Sequence, residues 1–293
     1  MFGFRPGKQA TSDRAVWGVA GGKGMLSGSS SIPYRCSKNA NEIKRLDFQH
    51  FILRTALGGN YLAPIGVTQQ PHMILDVGSG TNFWGCEIAR DFPETKIYGL
   101  DIELVTRADM PANYRLIQGD IRQDLPFAPG TFDYIHQRFL ISSLTAQEWP
   151  IVISRLLHIA IPGGWIELVD ASGEQLTSMG PMTAQLMENM AQLATMNRSE
   201  LLPASAIDEL LQAAGAINVH KKVVKLPVGK WGGRIGSLMA TNLTAVLQSF
   251  KEVCMAYFHY SSDYFDGCLS SAMQEWDEYH LQYPIYICFG QKL

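Results

Sequence analysis

An α/β chain built on an open, mostly parallel, doubly wound sheet is predicted by three features of the sequence. Short apolar runs alternate with helical ones between residues 73 and 169, the pattern of βαβ units with right-handed crossovers. The first run leads into a glycine turn, "ILDVGSGTNFW", and the second ends in an acid, "IYGLDI". Sheets of this kind hold ligands outside the carboxyl ends of their strands, where helix N-termini offer unpaired N–H groups.

In chain order, residues 1–31 are rich in Gly and Ser and are expected to be a flexible tail. The stretch "GVAGGKG" within it does not have phosphate-loop spacing, because Gly24 follows Lys23 where the Walker pattern needs Ser or Thr. A segment over 32–66 precedes the main domain at 67–293, and its centre is a helix over 41–57. There Ile43, Leu46, Phe51, Leu53 and Leu57 recur at near-helical intervals, and Gly58 and Gly59 close the run. Strands are expected over 73–77, 96–100, 114–118, 132–136 and 165–169, with helices over 84–91 and 146–160. Helices over 183–196 and 204–214, a strand over 217–226, helices over 236–260 and 269–280, and a last strand from 284 complete the chain. Helical insertions are thus expected near 176–214 and 230–283.

The 293 residues suit one enlarged domain with a substantial core. A formal charge of -3 and the absence of basic runs beyond Lys221 and Lys222 give no reason to expect nucleic acid. No stretch approaches the roughly 18 apolar residues of a membrane span, and the first residues lack an apolar signal core. No membrane partner is expected, and the cytoplasm is the default location. Cys36, Cys86, Cys254, Cys268 and Cys288 are scattered without a C-x-x-C pair, so neither a metal site nor a disulfide framework is expected.

Gly78 and Gly80 can adopt backbone angles closed to other residues and let a ligand approach the main chain. Asp101, about 20 residues further on, stands where a carboxylate accepts from ribose hydroxyls. Asp120, in "RLIQGDIRQ", puts a second acceptor at the same sheet edge, suited to a base amino group. A dinucleotide-dependent dehydrogenase needs G-x-G-x-x-G, and Phe83 occupies the third glycine position.

The ordered set "ILDVGSGTNFW", "IYGLDI", "GDI", "FDYIHQR" and "PGGWIEL" resembles the class I S-adenosylmethionine-dependent methyltransferases. One departure is Asn82 at the last glycine of that family's G-x-G-x-G, although Asn tolerates left-handed backbone angles better than most residues. "NEIKRLDFQHFILRTALGGNYLAPI" and "YPIYICFGQ" are similar to the branch containing methyltransferase-like regulators of fungal secondary metabolism and bacterial natural-product methyltransferases. The resemblance implies a seven-stranded Rossmann-like sheet with an antiparallel last strand. It also implies S-adenosylmethionine as cofactor and S-adenosylhomocysteine as product. The cofactor residues it implies are Asp76, Gly78, Ser79, Gly80, Asp101, Ile102, Asp120, Ile121, Gln137 and Phe139, with Tyr34, Arg45 and Gln49 from a cap helix.

Methyl transfer is an in-line displacement that gains most from alignment in a dry pocket, with a base needed for some acceptors only. The expected catalytic groups are Asp170 and His136, with Arg138, Glu167 and His158 as other strand-end or nearby candidates. Glu167 is expected on the same sheet face as Asp170, only deeper. Met179, Met182, Met187, Met190 and Met196 could roof an apolar acceptor pocket. So could Trp231, Met239, Met255, Tyr257, Phe258, Tyr260, Tyr264, Phe265 and Trp276, although most of these residues would pack helices or form a homo-oligomer interface. The expected function is methyl transfer to a small, largely apolar natural product. A methyltransferase-like regulator and a methyltransferase-like cyclase using the same pocket are the alternatives.

Overall fold

The computed structural model describes residues 39–67, 70–171, 173, 176–196 and 201–293, without the side chains of 194–196. The expected tail, Tyr34 and Cys36 lie outside them.

The described chain opens with helix α1 (Ala40–Leu57), started by Asn39, whose side chain accepts from the N–H groups of Asn41 and Glu42. Gly58 ends it in the left-handed region at φ 74°. Its buried face carries His50, Ile52 and Leu53, and Phe51 points to solvent instead of joining it.

Strand β1 (Met73–Val77) leads to α2 (Phe83–Asp91), then β2 (Lys96–Asp101), β3 (Tyr114–Gln118), β4 (Phe132–Arg138), α3 (Glu148–Ile159) and β5 (Ala160–Ala171). Helices α4 (Pro181–Met196) and α5 (Ile207–Ala213) precede β6 (Ile217–Pro227). Helices α6 (Gly233–Ser249), α7 (Lys251–Phe258) and α8 (Ser262–Glu278) precede β7 (Gln282–Gln291). The expected single helix over 236–260 is therefore two, parted at Phe250.

The seven strands form one sheet in the order β3-β2-β1-β4-β5-β7-β6, with β7 antiparallel to both its neighbours. This is the doubly wound sheet with a reversed last strand that the sequence predicts. Alternation along the strands divides the core. Leu75, Val77, Ile135, Ile166 and Leu168 pack in the core layer that holds α3 and α5. Ile74 and Tyr134 pack with Trp84 and Ile88 of α2 on the other side. Across that second side Val169 and Ala171 meet α1, α4, α6 and α8 in a further apolar cluster. Helix α1 packs against α6 and α2, which places it over the strand ends. Among the described residues no helix is long and apolar enough to cross a membrane, and Cys86, Cys254, Cys268 and Cys288 are buried free thiols.

Candidate functional site

The turn between β1 and α2 is held to β2 by its backbone. Gly78 and Ser79 N–H both donate to Leu100 O, at 2.8 and 3.1 Å. Gly78 and Gly80 lie at φ 66° and 58°, angles that favour glycine. Gly80 N–H donates to Asp101 Oδ2 at 2.8 Å and Glu103 N–H to Oδ1 at 2.9 Å, fixing a buried carboxylate beside the turn. Asn82 takes the left-handed conformation at φ 63° and uses its side chain as well. Its Nδ2 donates to Val105 O, and its Oδ1 accepts from the Tyr114 hydroxyl at 3.0 Å.

Asp120 reaches the same cavity, but its carboxylate is clasped by Arg122. Nε lies 2.9 Å from Oδ1 and 3.1 Å from Oδ2, and Nη2 2.6 Å from Oδ2.

At the end of β4, register decides which side chains meet the cavity. His136 and Arg138 share the α2 side, facing Asp76 of β1. The His136 ring lies on Trp84, with centroids 3.8 Å apart and planes 6° apart, and its Nδ1 is 3.5 Å from Asp76 Oδ1. Burial holds His136 neutral, far below the usual imidazole range. Burial pushes Asp76 up to about 8 against the pull of Arg138, and its Oδ2 has no hydrogen-bond partner among the described residues.

Gln137, one residue from each, turns to the α3 side and is not a cavity residue; its Nε2 donates to Asp170 Oδ2 at 3.2 Å. Asp170, which sequence reasoning places on the acceptor side, likewise does not line the cavity. Its Oδ2 accepts from Leu140 and Ile141 N–H, at 3.0 and 3.1 Å, and so anchors the loop after β4 that walls the cavity. Glu167 is an odd three residues from Asp170 and is therefore on the opposite face, not the same one as expected. There it accepts from Leu62 and Ala63 N–H, at 2.9 and 2.6 Å. His158, on α3, is also away from the cavity.

These elements enclose a cavity of about 730 Å³. Ser79, Ile102 and Ile121 line its turn end, and Phe139, at φ 57°, lies at the β4 loop. From α1, Gln49 and Arg45 reach it, Arg45 being tied to Glu42 and, at 3.1 Å, to Asn242 of α6. The far wall is apolar. Met179, Met187 and Met190 contribute to it, but none of the nine aromatic and Met residues expected between 230 and 283 does. Phe265 and Trp276 are core residues, while Tyr257 and Tyr264 are exposed. Their place is taken by Leu243, Val246, Leu247 and Phe250. Their spacing of three, four and seven residues is one face of α6 and its end, a signal the sequence does contain.

Residues 74–164 match the model of the methyltransferase domain. The N-methyltransferase verN of Clonostachys rogersoniana is 31% identical over 203 residues, covering 67% of this chain and 70% of that protein. The chain belongs to the S-adenosylmethionine-dependent methyltransferases. The secondary metabolism regulator LAE1 of Cochliobolus heterostrophus is 27% identical, covering 68% of this methyltransferase and 66% of that protein. The spanned share falls to about half for other curated relatives. The fold matches a methyltransferase structure from an antibiotic biosynthesis pathway of Anabaena variabilis, with a TM-score of 0.54 at 12% identity, covering 83% of this chain and 97% of that one.

S-adenosylmethionine is the family's cofactor, and the residues at the turn of this methyltransferase fit it. Gly78 and Gly80 leave the backbone open beside the N-terminus of α2, and Asp101 supplies a fixed carboxylate for hydroxyls. The unpartnered Oδ2 of Asp76 calls for a donor or a cation from the cavity.

Proposed function

We propose that this methyltransferase transfers the methyl group of S-adenosylmethionine to a small, largely apolar natural product. The observation behind this is a single cavity with the glycine turn and Asp101 at one end and an apolar wall of Met187, Met190, Leu243, Val246 and Phe250 at the other. That volume is within the usual range for small-molecule sites.

When bound, S-adenosylmethionine supplies a methyl group on a sulfonium, open to in-line attack. The chain's own work is positioning and exclusion of water. Asp101 would hold the hydroxyls of the cofactor, and Ile102 and Ile121, which line the cavity next to Asp120, would flank its base. Asp76, paired in register with His136 at the β1 and β4 ends, would face the positive charge of the cofactor. The neutral His136, fixed flat against Trp84, orients or takes a proton from an acceptor. Gln49 closes the cavity from α1.

The test is calorimetric titration with S-adenosylmethionine, S-adenosylhomocysteine, NAD and NADP, followed by methyl-transfer assays on prenylated and polyketide compounds. Amine-bearing acceptors are included because a relative is named an N-methyltransferase. Binding of the sulfur compounds alone, with turnover on an apolar acceptor, supports the reading. Binding without turnover on any acceptor favours a regulatory protein, and binding of NAD instead overturns it.

A further inference from the structure

Three arginines line the cavity, and two are matched to acids: Arg45 to Glu42 at 2.7 Å and Arg122 to Asp120 at 2.6 Å. Arg138 is different. Among the described residues it has no carboxylate within 4.0 Å, although burial, opposed by the charges of Asp76 and Glu87, lowers it to about 10 and so disfavours its charge.

Its orientation is nevertheless fixed. Arg138 Nη2 lies 3.1 Å from His50 Nδ1, and a guanidinium only donates, so His50 accepts there and carries its proton on Nε2. Nε2 lies 2.9 Å from Glu87 Oε2 and therefore donates to it, and Glu87 also takes Arg54 and Asn60 at 3.1 Å each. Burial and Arg138 together lower His50 to about 4, so it stays neutral in this role. A chain of three side chains from α1, α2 and β4 thus aims a charged guanidinium at the cavity.

Toward β2 and β3 the cavity bears Asp101, whose carboxylate accepts from hydroxyls and amines, and Asp120, already paired with Arg122. A ligand with hydroxyls at one end and a carboxylate at the other therefore has one favourable direction. We propose that Arg138 binds the α-carboxylate of the methionine part of S-adenosylmethionine, with His50 and Glu87 as positioning residues. Asp76, whose free Oδ2 shares that floor, faces the α-ammonium or sulfonium of the same zwitterion. The inference rests on S-adenosylmethionine as the ligand of the glycine turn.

The experiment is calorimetry with S-adenosylhomocysteine and with its decarboxylated analogue, which keeps the amine. Wild-type protein is expected to prefer the intact compound by about tenfold or more, as one charge-assisted hydrogen-bonded pair allows. Arg138→Met should abolish that preference by weakening the intact compound alone, Arg138→Lys should keep part of it, and Glu87→Gln should reduce it. A purely structural role for Arg138 would weaken both ligands equally and leave their ratio unchanged, which overturns the proposal. Should Arg138→Met fail to fold, equal affinity of the two ligands for wild-type protein overturns it as decisively. Wild-type protein that binds neither compound removes the cofactor reading itself, whereas equal binding of both removes only the role of Arg138.

Discussion

The amide Oδ1 of Asn82 accepts from the Tyr114 hydroxyl at 3.0 Å, joining the start of α2 to β3 beneath the glycine turn. Tyr114 fits there because Gly85 and Gly99 leave room; a Cβ at either would overlap its phenol. Asn82 thus exchanges the freedom of a glycine for two side-chain hydrogen bonds at φ 63°. Asn82→Ala should lower stability by about 2 kcal/mol, through lost hydrogen bonds and a left-handed alanine. Asn82→Gly should cost about half as much, since it keeps the turn relaxed. Denaturant unfolding checks the order, and an alanine variant no less stable than the glycine one contradicts it.

Asp101→Ala removes the acceptor for Gly80 and Glu103 N–H as well as the one offered to the ligand. S-adenosylhomocysteine should bind at least about tenfold more weakly, from charge-assisted bonds of about 1.5 to 3 kcal/mol each. Unchanged affinity by calorimetry would sink Asp101 as the hydroxyl-binding group.

The sheet was legible because each strand is a short apolar run stopped by turn residues, and the glycine turn and Asp101 follow from local spacing. What escaped was long-range or depended on one-residue register. His50 and Glu87 are 37 positions apart on separate helices, and nothing local in either predicts their contact at 2.9 Å. Strand alternation sends Arg138 to the cavity and Gln137 away from it, although the two are neighbours. The odd, three-residue spacing of Glu167 and Asp170 along one strand is enough to separate their faces from sequence alone. The count of aromatics after residue 230 gave no face at all, whereas the periodicity of Leu243, Val246, Leu247 and Phe250 would have.

Asp170→Asn tests the loop-anchoring role. The carboxylate accepts from Leu140, Ile141, Ala171 and Gln137, and an amide must turn its NH2 toward one of these donors. Stability should fall by about 1 to 3 kcal/mol, with Asp170→Ala at least as costly. A group acting on the acceptor would instead lose turnover with its melting temperature unchanged.

Three buried carboxyls set the pH dependence. Burial raises Asp76 to about 8 and Glu167 and Asp170 to about 7, against 3.8 to 4.5 for ordinary carboxyls. Their stability contribution is complete at acid pH and is lost as pH climbs toward 7 and 8. His50 and His136 act oppositely, because burial lowers both below 6.5, and their contribution is lost as pH falls below that value. Above 6.5 only the carboxyls among these five groups still titrate, so the ligand-free protein should lose melting temperature between pH 6.5 and 8.5. Asp76→Asn should flatten the upper part of that decline, since the neutral amide has no proton to lose. A cationic ligand group facing Asp76 favours the carboxylate, so saturating S-adenosylmethionine should shrink the decline in the wild-type protein. A melting temperature that rises over this interval, in thermal scans of the ligand-free protein, would show that Asp76 is already ionised there.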